Sequence, residues 1–173
     1  VGAVLTLAWS PDSRHLLSGG RDGALVLWDA DSGERRQYQK GHRGAVRGAA
    51  FDLEGQFYFS CGEDGMVHRW SSATGRLVAT FTGHEGAIHA LDYDPGHERL
   101  VTAGQDRTVR LWDVASGEGR ILRGHEGGVM DVCFDGTGER LLSRDRSGEK
   151  SVVYLWDALG DPAATTLHLH RRE

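Results

Sequence analysis

Tryptophan recurs at positions 28, 70, 112 and 156, at separations of 42, 42 and 44 residues. Around each lies a variant of one tetrapeptide: Leu27-Trp28-Asp29-Ala30, Arg69-Trp70-Ser71-Ser72, Leu111-Trp112-Asp113-Val114 and Leu155-Trp156-Asp157-Ala158. A period of this length constrains the fold more than any local motif does. Each copy must be a supersecondary module that buries its apolar surface only against its neighbours.

A second landmark keeps the same phase. Gly41-His42, Gly83-His84 and Gly124-His125 each precede a small-residue pair and a hydrophobic run. Counting from His42 and His84, the ninth residue is aromatic (Phe51, Tyr93), the eighteenth carries a hydroxyl (Ser60, Thr102), the twenty-second is Asp (Asp64, Asp106) and the twenty-eighth is Trp. Phe134 and Ser143 hold the first two columns after His125, while Trp9, Ser18 and Asp22 hold the first three before Trp28. Between landmarks the apolar residues form short runs, such as Val46 to Phe51 and Phe57 to Cys61, bounded by Asp, Gly, Ser and Pro. Runs of this length with turn chemistry at both ends are strands, and no stretch sustains a helical period. Asp22-Gly23 and Asp64-Gly65 are hairpin turns between the second and third runs. Gly19 to Gly23 is therefore a turn and not a phosphate cradle, since it opens no helix and lacks the Lys-Ser/Thr ending.

With the Gly-His pair, the hydroxyl, the turn Asp and the Trp-Asp close in phase, the chain resembles a WD-repeat β-propeller over essentially its whole length. The resemblance implies an all-β fold of four blades, each of four antiparallel strands, forming a partial, open propeller. The blades are expected over 1–40 (lacking its His), 41–82, 83–123 and 124–170, with 171–173 beginning a further repeat and an insertion at 149–151 in the divergent fourth blade. Residue 1 falls in mid-motif, without an initiator Met, and Leu169-His170 stands where a fifth Gly-His would begin. The expectation is a segment of a longer protein, whose bare blade faces are met by the remaining blades or by a second copy.

Composition narrows function chiefly by exclusion. A net charge of −5 offers no drive towards nucleic acid or anionic lipid. No run approaches the ~20 apolar residues of a membrane span, and no signal peptide opens the sequence. Cys61 and Cys133 fall in strand columns of different repeats. They read as reduced, packed thiols, which fits the cytoplasm.

Ser60, His42 and Asp64 have the residue types of a hydrolase triad, and Thr102, His84 and Asp106 repeat them. A catalytic constellation is needed once, so one copy per repeat argues for structure. The family resemblance implies a structural tetrad in which Asp accepts from His, His meets the hydroxyl, and the hydroxyl meets the Trp indole. It would be complete in His42, Ser60, Asp64, Trp70 and in His84, Thr102, Asp106, Trp112. The first repeat holds Ser18, Asp22 and Trp28; the fourth holds His125, Ser143 and Trp156 with Ser147 in the Asp column. Asp145 lies near enough in sequence to stand in, but the column pattern gives no ground to rely on it. No catalytic residue, cofactor or metal site is expected. His15, His68, His89, His97 and His168 are scattered, and tight metal sites need three or four ligands in fixed geometry.

Function is expected on the blade rims, where loops sit on a rigid scaffold. The resemblance implies a partner-binding rim formed by the residue after the first-strand Val or Ile and the residue before the turn Asp. The first set is Leu5, Arg47, His89 and Met130; the second is Arg21, Glu63, Gln105 and Arg146. Apolar, cationic and amide groups together suit a protein or peptide partner, with Arg21, Arg47 and Arg146 able to pair a carboxylate or phosphate. The expected function is a non-catalytic interaction scaffold within a larger intracellular protein. The alternative is a regulatory or substrate-presenting propeller of an enzyme whose catalytic domain lies outside the segment.

Overall fold

In the computed structural model, which describes residues 2–146, 152–160 and 165–167, no helix occurs among the described residues. Four separate sheets each contain four antiparallel strands in chain order. The first comprises β1 (Val4–Trp9), β2 (His15–Gly20), β3 (Ala24–Asp29) and β4 (Arg35–Lys40). The second comprises β5 (Val46–Phe51), β6 (Phe57–Gly62), β7 (Val67–Ser71) and β8 (Leu77–Phe81). The third comprises β9 (Ile88–Asp94), β10 (Arg99–Gly104), β11 (Thr108–Asp113) and β12 (Gly119–Arg123). The fourth comprises β13 (Val129–Phe134), β14 (Arg140–Asp145), β15 (Val153–Asp157) and β16 (Thr165–Leu167). Each sheet is one blade of the repeat. The insertion at 149–151, Ser147, His168, His170 and the 171–173 tail lie outside the described residues.

The chain divides into two compact units, Val1–Gly83 and His84–Glu173, each holding two blades. In the first unit, β5 packs against β1 and β2. Leu17, Leu25 and Leu27 of the first blade meet Val46, Phe51, Tyr58 and Trp70 of the second in one buried cluster. In the second unit, β13 packs across β9 and β10. There Val101, Val109, Leu111 and Leu122 meet Val129, Val132, Leu141 and Trp156. Burial of each such side chain contributes on the order of 1.5–3 kcal/mol, so packing between consecutive blades stabilises both. The same columns without a neighbour are bare. Val4 and Trp9 on β1 are 58% and 61% exposed, whereas their counterparts Val46 and Phe51 are 0% and 8% exposed.

The turns between second and third strands show how local chemistry fixes the hairpins. Gly23 and Gly65 adopt φ of 80° and 76°, and in the third blade Arg107 takes that place at φ 66°. Each donates its amide back to the residue three before it: Gly20, Gly62 and Gly104. The preceding Asp accepts the amide two residues on, at 3.3 Å from Ala24 to Asp22, 3.3 Å from Met66 to Asp64 and 3.1 Å from Thr108 to Asp106. Left-handed backbone is unfavourable for a residue with a Cβ. Arg107→Gly is therefore expected to raise stability by about 0.5–1 kcal/mol. Urea denaturation checks this, and a loss of stability would show that the Arg107 side chain compensates its backbone.

Candidate functional site

The polar interior of each blade is a relay from indole to carboxylate. In the second blade, Trp70 Nε1–H donates to Ser60 Oγ at 2.9 Å, His42 Nε2 lies 2.7 Å from the same oxygen, and His42 Nδ1 lies 2.9 Å from Asp64. In the third, Trp112 donates to Thr102 at 2.9 Å, His84 Nε2 lies 2.8 Å from Thr102, and His84 Nδ1 lies 3.0 Å from Asp106. A carboxylate only accepts, so Nδ1 carries the proton. Nε2 of the neutral ring then accepts from the hydroxyl, whose oxygen accepts from the indole. Every polar atom along this path is satisfied without water. The carboxylate also gathers the loop before the first strand, with Arg43 N donating to Asp64 at 3.0 Å and Glu85 N to Asp106 at 3.0 Å. In the first blade Trp28 donates to Ser18 at 2.8 Å, while Asp22 takes Gly2 N at 3.4 Å. Ser60 and Thr102 are fully buried. No substrate reaches these hydroxyls, which removes the triad reading.

The fourth blade corrects the expectation for its acid. Trp156 donates to Ser143 at 2.8 Å and His125 Nε2 lies 2.6 Å from that oxygen. Asp145 supplies the carboxylate, its Oδ2 3.2 Å from His125 Nδ1. The approach is close but less well aligned than in the other blades, and Nδ1 gains attraction rather than a good hydrogen bond. Asp145 stands two residues before the expected column, where the other blades have Gly20, Gly62 and Gly104. At Gly62 an added Cβ would lie 3.0 Å from His42 Nδ1, and at Gly104 it would collide with His84. That position therefore faces the imidazole, so a carboxylate grown from it reaches the ring when the turn residue is not acidic. Asp145 also accepts Val152 N at 3.0 Å, closing the longer turn.

His68, scattered in sequence, lies with its ring centroid 4.5 Å from that of His42. Ligand atoms of His42, Asp64 and His68 come within 4.8 Å of one another. His68 Nδ1 is 2.9 Å from Thr80 Oγ1, and both His42 nitrogens are engaged in the relay. A metal there would have to break the relay. Cys61 is buried as expected, but Cys133 is exposed. It alternates with inward-facing Val132 on β13, so the packed-thiol expectation fails for it.

The rim residues converge through an unforeseen device. The ladder between first and second strands skips one residue in every blade, pairing Val4 with Gly20 and Thr6 with Gly19, Val46 with Gly62 and Gly48 with Cys61. The other two pair Ile88 with Gly104 and Ala90 with Ala103, and Val129 with Asp145 and Asp131 with Arg144. The skipped residues are Leu5, Arg47, His89 and Met130. A bulge leaves its extra residue out of the ladder and redirects its side chain. Directly beyond, Arg21, Glu63, Gln105 and Arg146 donate their amides to Ala3, Ala45, Ala87 and Gly128. Both sets thus meet at one end of each blade. Arg47 is already salt-bridged to Glu63, which also accepts Ala45 N at 3.1 Å. The Arg47 hydrogen bond and the Ala45 amide hold the Glu63 carboxyl below its usual range. Arg47 is thus partnered within the protein. Arg21, Gln105 and Arg146 are exposed.

Burial pushes His84 and His125 down from the ordinary imidazole value, against the pull of Asp106 and Asp145. Burial acts to raise Asp64, but the His42 bond and the Arg43 amide outweigh it and bring it to about 2. The depressed histidines contribute full stability above about pH 6.5; as pH falls through that value the unfolded chain binds protons first and stability drops. Asp64 adds a loss as pH falls from about 4 through its folded value of about 2. Thermal melts should show the midpoint falling steadily as pH drops from about 7 to 4. A flat profile would show that the imidazoles are not held neutral.

Residues 1–29, 33–71, 75–113 and 117–157 match the family model described as WD domain, G-beta repeat. The chain is similar to the U3 snoRNP-associated protein-like YAOH of Oryza sativa subsp. japonica, 50% identical over 48 residues, covering 28% of this chain and 9% of that protein. It is 44% identical over 45 residues to the pre-mRNA-splicing factor cwf17 of Schizosaccharomyces pombe, covering 26% and 13%. Among solved structures, U3-55K superposes with a TM-score of 0.82 at 33% identity over 90% of this chain and 46% of that one. The WD40 repeats of RRP9 superpose with a TM-score of 0.83 at 33% identity over 91% and 46%. The chain spans less than half of each solved structure and a smaller part of the curated relatives.

Proposed function

The chain belongs to the WD40 repeat family, whose model matches all four of its copies, and from that premise we propose that it is a non-catalytic scaffold presenting one blade rim to protein or peptide partners. The observation that carries this reading is the bulge repeated at Leu5, Arg47, His89 and Met130. Four blades of differing sequence keep the same departure from regular pairing, and each sets a chemically different side chain beside a turn residue. Such variation on a constant frame suits recognition of an extended segment, where hot spots are few and spaced.

Relatives named for snoRNP-associated and splicing factors favour work inside a multi-subunit assembly. With a net charge of −5, the chain is proposed to join such an assembly through protein contacts and not by neutralising phosphates. Its two free cysteines favour a reducing compartment, and the cytoplasm is the setting read from the sequence. The exposed Val4, Leu7 and Trp9 on β1 favour another blade, of the same propeller or of a second copy, as their neighbour.

The Arg47→Ala/His89→Ala double variant tests the rim. Partners captured by the natural protein should be lost or weakened at least about tenfold, while the melting temperature stays within a few degrees, since an exposed ion pair contributes about 0–1 kcal/mol. Undiminished capture with unchanged stability would remove this rim from consideration.

A further inference from the structure

The two units contain the same interface between consecutive blades, and one of them holds an arginine that the other lacks. In the second unit, Arg99 from the start of β10 lies in the groove between its blade and the next. Its guanidinium donates to Ala158 O at 2.8 Å, to Gly138 O at 2.6 Å and to Asp94 at 2.7 Å. It sits 5.7 Å from the centroid of the Phe134 ring. Arg120 reinforces it, donating to Gly160 O at 2.8 Å and Ala158 O at 3.0 Å.

By column, the first unit supplies the same surroundings. Phe51 stands for Phe134, Gly55 for Gly138 and Ser72 for Ala158. The column of Arg99 holds the shorter His15, and Arg36, in the column of Arg120, is drawn away to Asp29 by a 3.0 Å bond from its Nε. A groove of about 600 Å³ results, lined by His15, Phe51, Gly55 and Ser72 with Asp12, Glu54, Arg36 and Gln37, and Gln37 Nε2 donates to Ser72 O at 2.6 Å. Ser72 Oγ is buried there without a hydrogen-bond partner. Ser10 occupies the column of Asp94, and its hydroxyl binds Asp12 at 2.6 Å, so the carboxylate lies two residues further along. The groove opens on the rim formed by the β1–β2, β5–β6 and β7–β8 turns, opposite the bulges.

We propose that this groove is a binding site for the guanidinium of an arginine side chain presented by a protein or peptide partner. The incoming group takes the place that Arg99 occupies in the second unit. It lies against Phe51, donates to the Gly55 carbonyl, to the stranded Ser72 hydroxyl and to the lone pair that Gln37 leaves on Ser72 O, just as Ala158 O takes both Arg99 and Arg120, and is balanced by Asp12 and Glu54. Arginine is favoured over lysine because the planar fork reaches several acceptors at once and stacks on an aromatic face. Arg36 and Gln37 line the groove too, but they are tied to Asp29 and Ser72 O, so the aromatic wall, carbonyl edge and two carboxylates favour a cation over an anion.

The test is an NMR titration of the isotopically labelled protein with acetyl-Gly-Arg-Gly-amide, beside the lysine and citrulline counterparts. Saturable shifts are expected at the amides of His15, Gly55 and Ser72, with the two counterparts binding at least about tenfold more weakly. His15→Arg, which restores the chain's own guanidinium to the groove, should abolish those shifts while leaving the melting temperature equal or higher. Glu54→Gln, at an exposed position, should weaken binding severalfold. No saturable shift in the natural protein, equal binding of the lysine or citrulline peptide, or undiminished binding to folded His15→Arg overturns the proposal.

Discussion

The blade depends on a buried hydroxyl that serves two masters. Ser60 and Thr102 each accept from an indole and lie within hydrogen-bonding distance of an imidazole, and both are fully buried. Any one of these groups left unpaired in the interior would cost about 1–3 kcal/mol, so the members hold one another in place. The relay also sets the strand geometry. It ties the third-strand Trp to the second-strand hydroxyl, then through His and Asp to the loop that enters the first strand. Three separate pieces of chain thus acquire one mutual position without needing a large core of their own.

The fourth blade shows what the relay requires and what it leaves free. It needs a carboxylate near His125 Nδ1, not an acid at one particular position in the turn. Asp145 satisfies it from the strand, in a column that holds glycine elsewhere and that the imidazole crowds at Gly62 and Gly104. The longer 3.2 Å approach marks this blade's relay as the loosest of the three that contain histidine.

Columns also explain where recognition chemistry can vary. Positions inside the relay and in the inter-blade clusters are held by packing, whereas the bulge residues, exposed at Leu5 and half-buried at Arg47, His89 and Met130, differ from blade to blade. Inside each unit the contact between consecutive blades uses equivalent columns, so a change in one copy reads as a departure from the other. Arg99 against His15 is such a departure, and the groove of the first unit is about 600 Å³ where the space beside Arg99 in the second is about 300 Å³. The same logic separates Arg36, held by Asp29, from Arg120, which reaches the neighbouring blade.

By itself the sequence determined the period and the columns of Trp, hydroxyl, Asp and His, and the family resemblance those columns carry implied the blades and the relay. The phase of the strands followed from short apolar runs and Asp-Gly turns. Tertiary structure alone decided the rest. The pairing of Arg47 with Glu63, the close approach of His68 to His42 and the reach of Asp145 to His125 each join residues sixteen or more apart in the chain. Such contacts depend on register, and the bulges that set it carry no residue type in common: Leu5, Arg47, His89 and Met130 share only a position. Periodicity survives in sequence because every copy must meet the same packing constraint. A contact formed once, in one blade, leaves no repeat to be read.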